Sequence, residues 1–490
     1  MKIRFHEEQL QLFAAASLDF NPLHLSREYA RTTAFGERVV FGMLGFAACL
    51  GHLAPPPGKI ISSMRVDLES PLFLGVDYSL VVRRQTANEI SASLMDGSAS
   101  AIVMRLRFRD GTVDLTELGE AGTAPRESSR PLRVEEFQPG LSFAGHYAPP
   151  RQAYLDLLTS LGVDRHAWGD TPLLIALCSS YLTGMELPGE NAIFTAVTAE
   201  LAARPELPAD FEITLDSYDE RFQLLESHFE LAGSSGTFAR GQLSAVARSP
   251  RERNSLAPRK DGSGRFAGKT ALVIGASRGL GAALALELVA EGCTVIGSYA
   301  RSHEDIQDLQ VASRDLPGRF ISEQGDASDL NWCVALRERI REQFGGLDIL
   351  VCSAAPAPRP LRIEEAYYER MQAFLQQGFA LVGAPLSSFL QLVAASQGKV
   401  LLISSAYVED PPKIWPHYVT LKAAAEALVR SAAVAHPKVT FWIARPGKLR
   451  TDMSNTPSGW FEAEEAAVAA RRIIEQLGTE VPAGEIHFCR

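Results

Sequence analysis

Apolar and polar positions along the chain follow three different periods. Residues 6–16 (HEEQLQLFAAA) set Leu10, Phe13 and Ala14 at three- and four-residue steps, which predicts a short amphipathic helix. The apolar run Val39 to Leu50 predicts a second helix. Residues 60–85 alternate in polarity and predict strands. The order then repeats, with an apolar helix over Leu173 to Leu187 and a strand block over Ala192 to Leu215. At an offset of about 134 residues Pro71 falls on Pro205, so a unit of roughly one hundred residues is duplicated. Between the copies, residues 116–133 (TELGEAGTAPRESSRPLR) are polar with Pro and Gly and read as a linker.

Beyond Gly268 short apolar strands alternate with helical periods, the mark of a parallel, doubly wound sheet. Residues 246–265 (VARSPRERNSLAPRKDGSGR) carry no apolar period and read as a flexible tether before it. The apolar run Ala271 to Ile274 meets a Gly-rich turn with Gly275, Gly279 and Gly281. Leu280, Ala283, Leu284, Leu288 and Ala290 then continue at helical steps. Strand, tight turn and helix make a dinucleotide cradle: glycines admit the pyrophosphate, and the helix N-terminus offers free N–H groups. The same spacing also serves an ordinary strand–turn–helix. The second strand ends in Ser298, Tyr299, Ala300 and Arg301, with no acid to bond a ribose 2′-OH. Arg278 and Arg301 suit a 2′-phosphate, so NADP(H) is expected rather than NAD. Asp326, after the third strand, is placed to accept from the adenine amine. Leu347 to Val351 reads as the fourth strand.

A length of 490 residues predicts two to four domains. Six cysteines lie scattered without CxxC spacing, against a zinc site or a disulfide framework. No metal is expected. The start, MKIRFHEEQL, is too polar for a signal peptide, and Val39 to Leu50, taken as the longest apolar run, is too short to span a bilayer. These features predict a soluble cytoplasmic chain with no membrane partner. A net charge of −10 argues against nucleic acid.

Candidate chemistry comes first at Asp19-Phe20-Asn21-Pro22-Leu23-His24. Asn-Pro marks a turn across which a carboxylate and an imidazole can share one pocket and activate one water. On spacing alone a capped turn uses the same residues. From this motif through the helix beginning near Gly42 to the strands, about the first 110 residues, the chain resembles the MaoC-like (R)-specific enoyl-thioester hydratases. That resemblance implies a hot-dog fold, a central helix wrapped by an antiparallel sheet. It implies Asp19 and His24 as the catalytic pair, with Asn21 shaping the substrate loop. The Gly42 N–H would polarise the thioester carbonyl. Many relatives carry His before that Gly; here Phe41 stands there. The duplication then implies a double hot-dog, with a catalytic half over 1–120 and a non-catalytic half over 134–245. At the 134-residue offset Asp19 falls on Ala153 and His24 on Leu158. Arg248, Arg251, Arg253, Arg259 and Lys260 in the tether offer a docking surface for an acidic carrier protein or CoA phosphates.

In the last segment Ser405 ends a strand (LLISS), and Tyr418 and Lys422 stand one helical turn apart. With GASRGLG and Pro446-Gly447…Thr451, residues 266–490 resemble the short-chain dehydrogenase/reductase family. The resemblance implies Ser405 on the substrate carbonyl, Tyr418 as acid–base group, and Lys422 favouring its phenolate. It implies a cofactor site from Gly275, Ser277, Arg278, Gly279, Gly281, Arg301, Asp326, Ala354, Pro446, Gly447 and Thr451. Cys352-Ser353-Ala354-Ala355 departs from the family's N-N-A-G, and no relay Asn stands near Gln376-Gln377-Gly378. His417 reads as incidental.

The expected architecture is an α+β double hot-dog followed by an α/β Rossmann-like doubly wound parallel sheet. The expected function is a bifunctional one. A 3-oxoacyl-thioester reductase and an (R)-3-hydroxyacyl-thioester dehydratase would work in fatty-acid-like or polyketide biosynthesis on a carrier protein or CoA. Two alternatives stand beside it: hydration then oxidation, as in β-oxidation, and a non-catalytic NADP(H)-binding scaffold. A homodimer or higher homo-oligomer through the reductase domain is expected.

Overall fold

A computed structural model describes residues 1–113, 115–250 and 262–489. The chain forms two compact units, Met1–Pro250 and Arg251–Arg490.

In the first unit, strand β1 (Lys2–Arg4) precedes α1 (Glu7–Ser17), the short α2 (Pro22–Leu25) and the apolar α3 (Gly42–Leu50). Strands β2 (Lys59–Leu68), β3 (Asp77–Gln85), β4 (Glu89–Asp96) and β5 (Ala99–Asp110) follow. The order then recurs as β6 (Ser142–Tyr147), α4 (Arg151–Leu161), α5 (Thr171–Tyr181), β7 (Ala192–Leu201), β8 (Ala209–Asp219), β9 (Leu224–Gly233) and β10 (Gly236–Ala247). All ten strands join in one antiparallel sheet, β1-β3-β4-β5-β2-β7-β10-β9-β8-β6. The two five-strand halves are mirror repeats in order, and they meet where β2 pairs with β7.

Alternation along that central pair decides where the core lies. Met64, Val66, Val197 and Ala199 point inward and are buried, while Arg65 and Glu200 point out. Helices α3 and α5 are buried along nearly their whole lengths, which explains their apolar character on every face. Both halves share one core.

The duplication is real, but its offset is not constant. Helix α1 ends in a left-handed C-cap at Leu18, and α4 ends in one at Gly162. Matching these caps sets Asp19 on Val163 and His24 on Trp168, not on Ala153 and Leu158. Strands β2, β3 and β4 lie close to the offset of about 134 residues, β5 and β10 are displaced by 137, and β1 and the helices depart further.

Residues 116–133 are not a loose linker. Thr116 N–H donates to buried Asp170, and Thr123 pairs with Ala148. Arg130 N–H donates to Met185 O, and the Arg130 guanidinium meets buried Glu186 at 2.6 Å. Most of the stretch is exposed, while Thr116 and Arg130 fasten it to buried acids. The tether is also shorter than its composition suggests. Strand β10 runs to Ala247, and residues from Ser263 onward are anchored to Glu291. Arg248 is 3% exposed and donates to the Tyr29 hydroxyl at 3.0 Å, so it offers no docking surface. Arg251, Arg253, Arg259 and Lys260 lie outside the described residues.

The second unit is a seven-stranded parallel sheet. Its elements are β11 (Thr270–Ile274), α6 (Gly279–Ala290), β12 (Thr294–Tyr299), β13 (Arg319–Gln324), β14 (Ile349–Cys352), α7 (Tyr368–Ala395), β15 (Lys399–Ile403), α8 (Pro416–Ala435), β16 (Thr440–Ala444) and β17 (Ile486–Cys489). The strand order is β13-β12-β11-β14-β15-β16-β17, reversing direction of travel between β11 and β14. A crevice at the C-terminal ends of those two strands is where such sheets bind ligands. Among the described residues one helix, Glu365–Ala395, is long and apolar enough to cross a membrane by length and composition. Val382, Leu386, Phe389 and Val393 along it are buried in the core of this unit. The longest apolar helix is therefore this one and not Val39 to Leu50.

Candidate active sites

In the first unit a cavity of about 210 Å³ opens at the meeting of the two halves, lined by Asp19, His24, Gly42, Ser180, Thr183 and Phe194 among others. Both predicted acid–base residues face it. Asp19 follows the left-handed turn at Leu18 and is 1% exposed. Its carboxylate accepts from Asn21 N–H at 3.1 Å and from the Ser180 hydroxyl at 2.7 Å. Burial raises its pKa to about 7, against the pull of those two hydrogen bonds. His24 Nδ1 lies 2.8 Å from Val39 O. A carbonyl can only accept, so the neutral ring carries its proton on Nδ1 and keeps the Nε2 lone pair. Burial lowers the His24 pKa to about 4. Phe41 stacks on the imidazole, with centroids 3.9 Å apart and planes at 27°. The position where many relatives carry His thus supplies an apolar wall.

Asn21 is spent on the loop that carries Asp19. Its amide donates to Gly184 O and Gly189 O, both at 3.1 Å, and its side-chain oxygen accepts from Leu23 N–H. Every strong hydrogen-bonding group is spent on backbone. Asn21 therefore caps α2 and pins the Asp19 loop to the second half, at the wall of the cavity. Gly42 begins α3 on the cavity wall, with its N–H at the positive end of the helix.

The second half was expected to be non-catalytic, yet it lines this cavity. Ser180 comes from α5, and Thr183 and Gly184 come from the wider π-turn Leu182–Glu186 that extends it. A Cβ on Gly184 would sit 2.5 Å from Asp19 Oδ1, so only glycine lets the carboxylate lie this close to the backbone. The signal was present as hydroxyl residues within an apolar helix (LCSSYLTGM), but nothing local linked them to Asp19.

In the second unit Ser405, Tyr418 and Lys422 come together. Ser405 lies two residues past β15 and caps the short turn Ala406–Val408, while Tyr418 and Lys422 lie on one face of α8, whose start is set by Pro416. Tyr418 is hydrogen-bonded with Ser405, and the Lys422 ammonium is 5.6 Å from its ring centroid. Lys422 donates to Ile403 O at 2.8 Å. Burial pushes Tyr418 up to about 12, against the lowering bond from Ser405. Burial also lowers Lys422 to about 8. Within the chain alone, burial outweighs the expected phenolate stabilisation by Lys422.

At the crevice Gly275 adopts φ +83°, and a Cβ there would meet Ala354 Cα at 2.9 Å. This tight, side-chain-free turn at the N-terminus of α6 fits a dinucleotide phosphate group. Thr451 lies across from Gly279, and Pro446 O accepts from Ala406 N–H. Ser277 and Gly281 complete the turn. Arg278 lies 3.8 Å from Asp452. Arg301 lowers the pKa of Asp326, less strongly than two Ser328 hydrogen bonds do. Each arginine thus already has an acidic neighbour.

The short chain dehydrogenase family model matches residues 269–460. Elsinochrome reductase 1 of Elsinoe fawcettii is 30% identical over 195 residues, covering 39% of this chain and 71% of that protein. The chain belongs to the short-chain dehydrogenase family. The MaoC like domain model matches residues 1–87, so the dehydrogenase is fused to a second family's domain. An L-rhamnose 1-dehydrogenase (NADP(+)) of Thermoplasma acidophilum is 25% identical over 217 residues, covering 44% of this chain and 85% of that protein. Among solved structures, a short chain dehydrogenase from Burkholderia cenocepacia in complex with NADP is 27% identical. It aligns with 46% of this chain and 97% of its own, at a TM-score of 0.42.

Two features of the dehydrogenase unit escaped the motif reading. Glu426, one turn past Lys422, is buried, accepts from the Ser404 hydroxyl at 2.6 Å and takes two bonds from Arg445. This pair braces the strand end that carries Ser405. His417 is not incidental: it is 0% exposed, edge-on to Phe374 at 4.4 Å, and neither ring nitrogen has a partner among the described residues. Burial lowers its pKa to about 4.

The folded unit refuses a proton that the unfolded chain binds below about pH 6.5, so stability is full above that pH and is lost as pH falls toward 4. His417→Leu should therefore match or exceed wild type at pH 7. It should retain about 2 kcal/mol more than wild type at pH 5. Thermal unfolding of both proteins at the two pH values checks this; equal acid losses would contradict it.

Proposed function

We propose that the chain reduces a 3-oxoacyl thioester and dehydrates the resulting (R)-3-hydroxyacyl thioester to the trans-2-enoyl thioester. The observation that carries this reading is the convergence of Asp19 and His24 on one cavity, beside the N-terminus of α3, in a chain that also assembles Ser405, Tyr418 and Lys422. The first unit is read as a double hot-dog.

The name of the Thermoplasma relative and the lack of an acid after β12 support NADP(H) as cofactor. Gly275, Ser277, Gly279 and Gly281 would hold its pyrophosphate, with Arg278 and Arg301 at the 2′-phosphate and Asp326 at the adenine. Ala354, Pro446, Gly447 and Thr451 would flank the nicotinamide end. When bound, the nucleotide supplies the hydride. Ser405 holds the 3-oxo oxygen, Tyr418 gives it a proton, and Lys422 steadies the phenolate that remains.

For dehydration the Gly42 N–H polarises the thioester carbonyl. His24 Nε2 takes a proton from C2, and protonated Asp19 gives one to the C3 hydroxyl, which leaves as water. Burial favours this starting form, with His24 neutral and Asp19 protonated up to about pH 7. Hydration needs the same single proton on the pair, placed on His24 instead. Consequently kcat/KM in both directions should be flat between about pH 4 and pH 7, fall about tenfold per unit above pH 7, and fall again below pH 4 as His24 takes up a proton. A rise through pH 7 would contradict these roles.

Variants separate the sites. Tyr418→Phe should abolish reduction and leave dehydration intact. Asp19→Asn should slow dehydration about 10²–10⁴-fold and let the 3-hydroxyacyl thioester accumulate. Mass spectrometry of thioester products reads both, with 3-oxoacyl thioester and NADPH for reduction and the (R)-3-hydroxyacyl thioester supplied directly for dehydration. Loss of both activities in either folded variant would sink the two-site reading, and absence of turnover in wild type would favour a binding scaffold.

A further inference from the structure

Thr183 has a hydroxyl that the fold itself does not use. The residue is 2% exposed, and its Oγ1 finds no hydrogen-bond partner among the described residues. It lines the cavity that holds Asp19 and His24. A buried hydroxyl without a partner is costly, and such groups are otherwise nearly always satisfied. Other hydroxyls on the same wall are committed: Ser180 donates to Asp19, and Thr195 donates to Ser244 O at 2.8 Å.

The neighbours of Thr183 fix what it can reach. Ser180, three residues before it, bonds Asp19 Oδ2; Gly184, directly after it, packs against Asp19 Oδ1. Thr183 is thus bracketed by two contacts to one carboxylate without bonding that carboxylate itself. Thr183, Ser180 and Asp19 line the same cavity, so an oxygen atom held there to exchange a proton with Asp19 sits in the pocket that the Thr183 side chain also walls.

We propose that Thr183 binds the oxygen at C3 of the acyl thioester, as hydroxyl before it leaves or as water before it adds. This rests on the dehydratase reading of the cavity and gives the second half of the duplicated unit a direct contact with substrate. Thr183 neither takes nor gives the transferred proton; it supplies one hydrogen bond that orients the C3 oxygen toward Asp19. The site then selects acyl chains with an oxygen at C3 over saturated chains of the same length.

Ligand pairs that differ only in that oxygen test the assignment. The full-length Asp19→Asn protein blocks turnover, so (R)-3-hydroxybutyryl-CoA and butyryl-CoA can be titrated calorimetrically with and without Thr183→Val. The expected result is that Thr183→Val weakens (R)-3-hydroxybutyryl-CoA about tenfold or more. Butyryl-CoA should be unchanged, and Thr183→Ser should restore the hydroxyacyl affinity. In the wild-type background, Thr183→Val should lower kcat/KM for crotonyl-CoA hydration by a similar factor, without moving the fall near pH 7. Equal weakening of both ligands, no weakening of either, or failure of Thr183→Ser to restore binding would overturn the proposal. Absence of crotonyl-CoA hydration by the wild-type chain would overturn the dehydratase reading, while the paired titrations would still decide the role of Thr183.

Discussion

The environment of the Asp19 carboxylate is the constraint on which the first unit depends. A buried carboxylate needs hydrogen-bond donors, and one of its two comes from Ser180 in the other half of the duplication. Gly184 must lack a side chain for the carboxylate to fit. Asn21, two residues on, spends its amide on the carbonyls of Gly184 and Gly189. The site is built from both halves: one carries Asp19 and His24, and the other carries Ser180 and Gly184, which bond and pack against the carboxylate. Val163 and Trp168, the structural counterparts of Asp19 and His24, are apolar and belong to the core.

What was legible in the sequence had short, fixed spacing. Gly275, Gly279 and Gly281 lie within one turn, Tyr418 and Lys422 within one helical turn, and Asp19 and His24 across one Asn-Pro bend. Local backbone geometry brings such residues together whatever surrounds them, and each group is assembled as expected. The alternation that marks β2 and β7 was equally clear, because a strand with one buried face must alternate. Contacts made over long separations were not legible. Ser180 reaches Asp19 across 161 residues, and no local pattern encodes the pairing of β2 with β7 that joins the two halves. For the same reason 116–133 was read as a linker: its partners, Asp170 and Glu186, are buried acids more than fifty residues away. The drifting offset between the copies hid the true counterparts of the catalytic loop.

The two sites handle the same physical problem differently. Burial pushes Asp19 up and His24 down, toward a shared neutral form in which one proton is available near pH 7. Burial pushes Tyr418 away from neutrality, to about 12. The first pair is thus poised by the protein alone. The Lys422 ammonium, held against Ile403 O, lies 5.6 Å from the tyrosine ring centroid. Glu426 and Arg445 hold the strand end beneath it in place.

The central claim is that one chain carries two independent sites acting on the same acyl carbon. It is tested most directly by mixing Tyr418→Phe and Asp19→Asn proteins, each blocked at one site, with a 3-oxoacyl thioester and NADPH. The account predicts that neither variant alone forms the enoyl thioester, while the mixture consumes NADPH and forms it, since the 3-hydroxyacyl intermediate can pass through solution between chains. A mixture that consumes NADPH but forms no enoyl thioester, with both proteins folded, would contradict it.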